Sequence, residues 1–176
     1  NAYVYAIGDA TPAPRFTHVA NYNAGLVIRN ALFRMPVRAD YAAIPRVTYT
    51  DPELAQVGLT EKEARARHAR VMTARAEFAQ NDRAVIERAR EGFAKLVLDR
   101  GGRILGATIV GAHAGELIGP WTLALSTRAK LSAMAAMTAA YPTLGETSKR
   151  AAGNHFAPLV FGPRAKALAS LLSLFG

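Results

Sequence analysis

Three stretches of this sequence place polar side chains where a ligand or a substrate could bind. The first is Gly8-Asp9, which ends a continuous run of apolar, β-branched and aromatic residues. Such a run is typical of a strand buried on both faces, and ligands of open α/β sheets collect at the carboxyl ends of these strands. A carboxylate there accepts hydrogen bonds from a ligand hydroxyl, and glycine lets the backbone approach closely. The alternative interpretation is a strand that ends in an Asx turn and binds nothing.

The second stretch is the start of a helix predicted over residues 17–33, after a loop that contains Pro12 and Pro14. Thr17 is the predicted N-cap, and the apolar spacing predicts a mostly buried helix. The unpaired N–H groups and the positive dipole of a helix N-terminus favour an electron-rich ligand. His18 is a candidate contact to such a ligand, and its alternative is a surface residue beside the cap.

The third stretch covers residues 141–146, Tyr-Pro-Thr-Leu-Gly-Glu, and combines a phenol with a carboxylate around a proline turn. Histidine is the side chain best suited to proton transfer near neutral pH, because its pKa lies in that range. Tyrosine has a reference pKa of about 10 and is therefore a poor base at neutrality. We therefore expect Tyr141 to donate a hydrogen bond, not to act as a base. The alternative interpretation is a turn that leads into a helix.

The elements that must position these residues follow from the patterning of the chain. Strands are predicted over residues 46–50, 55–58, 71–78, 92–99 and 103–110. Helices are predicted over residues 60–69, 114–129, 132–138 and 146–152, and residues 81–84 are predicted to be a polar turn. Thr60 and Glu63 have the spacing of a capping box, and Gly101-Gly102 between two β runs indicates a hairpin. The fold class is therefore α+β, an antiparallel sheet with helices on one face.

Several strings in the sequence resemble one family, the flavin-dependent pyridine nucleotide–disulfide oxidoreductases. Residues 50–58, Thr-Asp-Pro-Glu-Leu-Ala-Gln-Val-Gly, resemble the opening of the C-terminal dimerisation domain of that family. Residues 6–9, Ala-Ile-Gly-Asp, resemble its second flavin motif, and residues 16–22 resemble its mercuric-reductase-like branch. Residues 92–96 and 104–111 resemble strands at the matching places, so the resemblance covers nearly the whole chain.

The resemblance implies three regions. Residues 1–35 would be the C-terminal end of an FAD-binding domain, contributing one strand and one helix. Residues 36–45 would be a linker, and residues 46–176 the dimerisation domain.

The resemblance also assigns roles to individual residues. Gly8 and Asp9 would hold the ribityl chain of FAD, and Thr17 and His18 would begin the helix that points at the isoalloxazine. Most members carry a histidine at the position of Tyr141. In those members a glutamate, here Glu146, orients the histidine, which reaches across the dimer to move protons at the other subunit's thiols.

Two departures from the family pattern leave the electron acceptor open. Tyr141 replaces the histidine, and the C-terminal cysteine pair of true mercuric reductases is absent because the chain contains no cysteine. The resemblance further implies a cis peptide bond before Pro142.

The intact enzyme implied by the resemblance is a homodimer that passes a hydride from NAD(P)H to FAD and electrons on to a disulfide-type or related acceptor. The chain has no initiator Met, opens inside a predicted strand and lacks any G-x-G-x-x-G fingerprint. We therefore expect a fragment or processed product that holds no flavin by itself. The alternative, from another functional class, is a stand-alone dimerisation or interaction module without redox activity.

The charge balance makes nucleic-acid binding a candidate function, because 22 lysines and arginines exceed 13 acidic residues and give a formal charge of +9. The basic residues are dispersed, however, and pairs such as Glu61 with Arg65 have the i,i+4 spacing of a solvated helix face. No nucleic-acid partner is therefore predicted. The four histidines show no ligand spacing, and the chain has no cysteine, so no metal is predicted. The absence of cysteine also suits a cytoplasmic protein.

The end of the chain departs from the family core. Leu168, Leu171, Leu172 and Phe175 fall on one face of a predicted helix. We expect this apolar stripe to pack on its own domain or across a homodimer. A membrane-surface anchor is the alternative, although no apolar run approaches the roughly 20 residues needed to span a bilayer.

Overall fold

The computed structural model describes residues 4–173, and for Arg164 and Leu168 it describes the backbone only. The strands are β1 (Arg46–Thr48), β2 (Glu53–Gly58), β3 (Val71–Glu77), β4 (Phe93–Asp99) and β5 (Ile104–Gly111). The first four helices are α1 (Thr17–Ala31), α2 (Glu61–Arg67), α3 (Asp82–Ile86) and α4 (Ala114–Leu117). The last four are α5 (Gly119–Ser126), α6 (Leu131–Ala136), α7 (Glu146–Phe161) and α8 (Pro163–Leu172).

The five strands form one antiparallel sheet in the order β1-β2-β5-β4-β3. The predicted hairpin joins β4 to β5, and the side chain of Asp99 closes its turn. Asp99 Oδ1 accepts the backbone N–H groups of Gly101 at 2.8 Å and of Arg103 at 2.9 Å. The pairing of these two inner strands is therefore fixed by a local signal, which explains why the sequence predicts them well.

The main hydrophobic core lies on one face of the sheet, under α5, α6 and α7. Side chains alternate along β4, so Leu96 and Leu98 enter this core while Val97 points to the opposite face. There Val97 packs with Leu105 and with Ala64 of α2. The predicted α+β layer is therefore confirmed, although the short helix α2 packs on the second face.

A buried tryptophan connects two of the covering helices. Trp121 of α5 is fully buried, and its indole Nε1 donates a hydrogen bond to Ser148 Oγ of α7 at 3.0 Å. Because an indole N–H needs a partner when it is buried, this bond fixes how α5 lies against α7. The start of α7, which follows the Tyr141 turn, is therefore anchored directly to the core.

Several predicted boundaries are wrong for physical reasons. The single helix predicted over residues 114–129 is two helices, α4 and α5, because Pro120 starts a new helix at a position where its missing N–H costs nothing. The polar turn predicted at residues 81–84 is the start of α3, capped by Asn81. The helix predicted to end at residue 152 continues to Phe161, past Pro158.

The predicted strand before Gly8 is absent from residues 4–7, which are exposed and have no regular structure. A strand needs a neighbour to pair its backbone groups, and the sheet of the described residues lies elsewhere. Residues 1–3 of that predicted strand lie outside the described residues.

Two predictions about α1 are also wrong. Phe16, not Thr17, is its N-cap, and Thr17 is its first helical residue. The helix is only partly covered: Val19 and Asn23 are buried, Leu26 is half-buried and Ile28 is exposed. The linker supplies its contacts, among them Tyr41, whose hydroxyl donates to Asn23 Oδ1 at 3.0 Å. The apolar residues predicted to be buried therefore remain largely without partners among the described residues.

Candidate functional site

The turn before α7 presents Tyr141 on the surface. The Tyr141-Pro142 peptide bond is cis, as predicted. The Tyr141 side chain is 71% exposed, and its hydroxyl donates a hydrogen bond to Asp82 Oδ2 at 2.9 Å. This hydrogen bond and the charge of Asp82 raise the pKa of Tyr141 above its ordinary value. The phenol is therefore held in its neutral form at neutral pH, which supports the expectation that it does not act as a base.

A buried asparagine links this turn to α3. Asn81 is 3% exposed, and its Nδ2 donates to the carbonyl oxygen of Thr143 at 2.9 Å. Its Oδ1 accepts the backbone N–H of Ala84 at 3.0 Å and so caps α3. Both ends of this amide are used, which fixes α3 and the Tyr141 turn relative to each other.

Glu146, the first residue of α7, holds the same turn from the other side. Its Oε2 accepts the backbone N–H of Thr143 at 3.3 Å. Glu146 contributes a smaller charge effect that raises the pKa of Tyr141. Its hydrogen bond goes to the turn backbone, so Glu146 shapes the turn, while Asp82 is the residue that bonds the phenol.

Asp82 is the site residue that sequence reasoning missed. It stood inside a segment predicted to be a polar turn, and 59 residues separate it from Tyr141. The one local signal was Asn81 followed by Asp82, a sequence that suits a helix N-cap with an acidic first turn. That signal predicts the start of α3 but cannot show which side chain α3 meets.

The Gly8-Asp9 stretch forms a tight turn in front of α1. Gly8 is buried with φ of 60°, and a Cβ at this position would meet the Cβ of Ala20 at 3.0 Å. Its carbonyl oxygen accepts both the backbone N–H and the hydroxyl of Thr11. Asp9 is exposed beside it. Glycine is therefore required by close packing on α1, and the neighbouring carboxylate is left accessible to a ligand.

The start of α1 carries Thr17 and His18, both exposed. No side chain caps this helix, and the N–H of Val19 bonds the carbonyl oxygen of Phe16 at 2.9 Å. The His18 ring stacks on Phe16 with 5.2 Å between ring centroids, and its Nε2 lies 2.9 Å from the carbonyl oxygen of Pro45. His18 thus ties α1 to the residues just before β1.

The structure groups the six predicted site residues into two places. Gly8 and Asp9 lie next to α1, on which Thr17 and His18 stand, and the turn packs on that helix through Ala20. Tyr141 and Glu146 share the other place with Asp82 and Asn81. Within residues 4–173, no hydrogen bond joins the two groups.

Comparison with known proteins identifies the family. Residues 44–152 match the pyridine nucleotide-disulphide oxidoreductase family, dimerisation domain. The chain therefore belongs to the pyridine nucleotide–disulphide oxidoreductases, and the match falls on the sheet and the helices that cover it.

Similar curated proteins extend this match to most of the chain. A dihydrolipoyl dehydrogenase of Geobacillus stearothermophilus is 39% identical over 150 residues, which are 85% of this chain and 32% of that protein. A mercuric reductase of Bacillus cereus is 36% identical over 152 residues, which are 86% of this chain and 24% of that protein. The crystal structure of LpdA from Mycobacterium tuberculosis superposes with a TM-score of 0.79 at 28% identity, covering 85% of this chain and 33% of LpdA. The chain thus spans about a third of such relatives or less.

The described residues give two further findings. No helix among residues 4–173 combines the length and the apolar character that crossing a membrane requires. Over the same residues, no three His, Asp or Glu side chains come together in a way that could hold a metal ion.

Proposed function

We propose that this chain supplies the dimerisation domain, and the last flavin-contacting element, of an FAD-dependent NAD(P)H oxidoreductase that works as a homodimer. The observation that carries the proposal is the family match over the whole sheet, together with the Tyr141 turn at its edge. The regions are those expected from the resemblance, residues 1–35, 36–45 and 46–176. A cytoplasmic location is part of the proposal.

The surface of the chain supports pairing with a second copy. Large apolar side chains are exposed on the last turn of α7, where Leu159, Val160 and Phe161 are each more than half exposed. Leu171 and Leu172 of α8 are also more than half exposed, so these two residues of the predicted stripe do not pack on their own domain. Phe175 lies outside the described residues. Exposed large apolar side chains in such numbers suit an interaction site, and we assign them to the homodimer.

The residues near α1 fit one rim of a flavin site. An accessible carboxylate at Asp9 suits the hydroxyls of the ribityl chain, and Gly8 keeps the backbone turn tight beside it. The uncapped start of α1, at Thr17, offers amide donors and a positive dipole to the electron-rich edge of the ring. His18 is kept in the proposal as a neighbour that fastens this helix start to the linker. FAD, when bound, supplies the two-electron chemistry between NAD(P)H and the acceptor.

Tyr141 is assigned to the acceptor side of the reaction in the partner subunit. Its exposure gives it access to a second chain, and its neutral phenol can form a hydrogen bond with a substrate group. Glu146 holds the backbone of the turn from which the phenol projects. Neither residue takes part in hydride transfer from NAD(P)H, which concerns another part of the enzyme.

The two half-reactions of the full-length protein test this assignment. We expect Tyr141→Phe to leave flavin reduction by NAD(P)H unchanged and to slow flavin reoxidation by lipoamide, a disulfide probe, about tenfold. That factor corresponds to the loss of one hydrogen bond of about 1.4 kcal/mol. Tyr49→Phe, at another exposed tyrosine, is the matched control and should change neither step. Equal losses in both half-reactions, or no loss in either, would show that Tyr141 is only structural.

The flavin rim has its own test. In the full-length protein, Asp9→Asn should lower the fraction of subunits that retain FAD through purification, because an amide accepts hydrogen bonds less strongly than a carboxylate. Asp51→Asn, at an exposed aspartate in the β1–β2 turn, should leave the FAD content unchanged. Full FAD content in Asp9→Asn would remove Asp9 from the proposed site.

A second candidate function rests on a different observation. A cleft of about 570 Å³ lies between the linker, α2, the end of α5 and the start of β5. Its lining is basic on balance, with four arginines (Arg46, Arg67, Arg103 and Arg128) against two acidic residues (Asp40 and Glu63). Such a cleft would suit an acidic partner of a module without redox activity. The absence of bound flavin from the purified full-length protein would favour this second function.

A further inference from the structure

The contact between Tyr141 and Asp82 is not forced by burial, since both side chains are exposed and water can compete for each of them. Its position follows from the two backbone segments that carry the pair. Asn81, directly before Asp82, bonds the carbonyl oxygen of Thr143, two residues after Tyr141. Glu146 bonds the N–H of the same Thr143. The turn is therefore held on both sides, and the phenol is left next to the carboxylate.

This contact determines what the phenol can offer to a substrate. A tyrosine hydroxyl has one proton to donate and lone pairs that accept. In the structure the proton is donated to Asp82 Oδ2, so the part of the hydroxyl that remains available is its acceptor side. This differs from the expectation from sequence, in which the phenol donates to the substrate.

We propose that Asp82 is a positioning residue for Tyr141, which fixes the phenol in one orientation and makes its oxygen a hydrogen-bond acceptor toward the substrate. The proposal rests on the proposed function, in which Tyr141 faces the acceptor site of the partner subunit. The group that fits this oxygen carries a proton on the contacting atom. A disulfide acceptor such as lipoamide has no such proton until it is reduced, so the fitting group is the thiol that its reduction forms. A carbonyl or carboxylate oxygen at the same place would find no proton.

The charged groups around the phenol keep this arrangement stable against pH. Asp82 from α3 and Glu146 from α7 both raise the pKa of Tyr141, and Asp82 has the larger effect. A raised pKa in the folded state means that the protonated phenol persists as the pH rises through the ordinary value for tyrosine. The phenol therefore keeps, across the neutral range, the proton that it donates to Asp82.

The pair can be tested in this chain without any redox assay. NMR of isotope-labelled tyrosine, with the Tyr141 resonance assigned by its loss in Tyr141→Phe, gives the pKa of this residue. We expect Asp82→Asn and Asp82→Ala to lower that pKa, and Glu146→Gln to lower it less. Glu87→Gln is the matched control, since Glu87 lies at the end of the same helix and pairs with Arg83.

Each outcome of the titration decides the inference. An unchanged Tyr141 pKa in both Asp82 variants would overturn the positioning role of Asp82, even if the variants turned over more slowly. If only Asp82→Ala fails to fold, Asp82→Asn decides, because an amide of the same size leaves the start of α3 capped by Asn81.

Turnover in the full-length protein separates this inference from the proposed function. We expect Asp82→Ala to slow flavin reoxidation by lipoamide, and to have no further effect when Tyr141 is already phenylalanine. This non-additivity is what a residue acting through Tyr141 must show, and a purely structural residue would add its own loss. A lowered Tyr141 pKa in the Asp82 variants, with reoxidation unchanged in Tyr141→Phe, would confirm the pair and refute the role proposed for Tyr141. Reoxidation that is slowed in Tyr141→Phe but unchanged in Asp82→Ala would overturn Asp82 as a positioning residue. Additive losses in the double variant would overturn Asp82 as a positioning residue.

Discussion

Asn81→Asp should destabilise the chain although it keeps the size and the capping oxygen of the side chain. The new carboxylate can still accept the N–H of Ala84, but an oxygen replaces the Nδ2 donor that now bonds Thr143. The variant loses one hydrogen bond, about 1 kcal/mol, and leaves the second oxygen of the new carboxylate buried without a donor, about 1–3 kcal/mol more. The carbonyl oxygen of Thr143 still accepts the backbone N–H of Glu146 at 3.4 Å. We therefore expect the free energy of unfolding to fall by roughly 2–4 kcal/mol.

Urea unfolding at neutral pH, followed by the fluorescence of Trp121, measures this loss directly. Trp121 is the one tryptophan of the chain and is fully buried, so its emission reports the state of the core. With a slope of about 2 kcal/mol per molar urea, the midpoint should drop by about 1–2 M. Gln80→Glu, an exposed neighbour with the same change of charge, is the control.

The pH dependence of the Asn81→Asp variant gives a further check. A buried carboxyl that faces a carbonyl has a raised pKa in the folded state, and once protonated it can donate to Thr143 again. The deficit relative to the native chain should therefore shrink as the pH falls through that pKa. A variant as stable as Gln80→Glu at neutral pH would refute the role given to Asn81 in holding the Tyr141 turn.

Two other substitutions test the fold. Thr60→Ala removes the capping box with Glu63 and should cost about 1 kcal/mol in urea unfolding. The hydrogen bonds from Thr60 lower the pKa of Glu63 in the folded chain. Their stabilisation is therefore present above the ordinary carboxyl pKa and is lost as the pH falls through the lowered pKa of Glu63. If the destabilisation by Thr60→Ala did not depend on pH, the capping box would be contradicted. Gly106→Ala would drive a Cβ into the backbone of Leu59 and should prevent stable folding. Gly153→Ala places its Cβ in open space on α7 and should stabilise the chain by about 0.5–1 kcal/mol. Circular dichroism during heating measures both effects.

The parts of the fold that the sequence predicts are those with local causes. The β4–β5 hairpin follows from Gly101-Gly102, and α2 follows from the spacing of Thr60 and Glu63; both are confirmed. The cis bond before Pro142 is also confirmed, and it came from the resemblance to a family. Short-range chemistry and family motifs were enough for these features.

The remaining features depend on contacts between distant segments. The run before Gly8 has the composition of a buried strand, but composition cannot supply the neighbouring strand that such a segment must pair with. The bond between Asp82 and Tyr141 joins α3 to the start of α7, and no pattern within either segment shows that they meet. The length of α7 was underestimated, because packing of this helix on β3 and α6 carries it past residue 152. The proposed flavin contacts at Gly8, Asp9, Thr17 and His18 stay predictions.

Sedimentation velocity of the purified chain most directly measures whether it pairs with a second copy of itself. At tens of micromolar we expect a species with twice the mass of the 18.8 kDa chain, because a second copy would bury the exposed apolar residues at the end of α7. Phe161→Glu should shift the population to monomer, whereas Lys62→Glu, at an exposed position on α2, should not. A single 18.8 kDa species at every concentration, in the native chain as in Phe161→Glu, would contradict the assignment of this chain as a dimerisation domain.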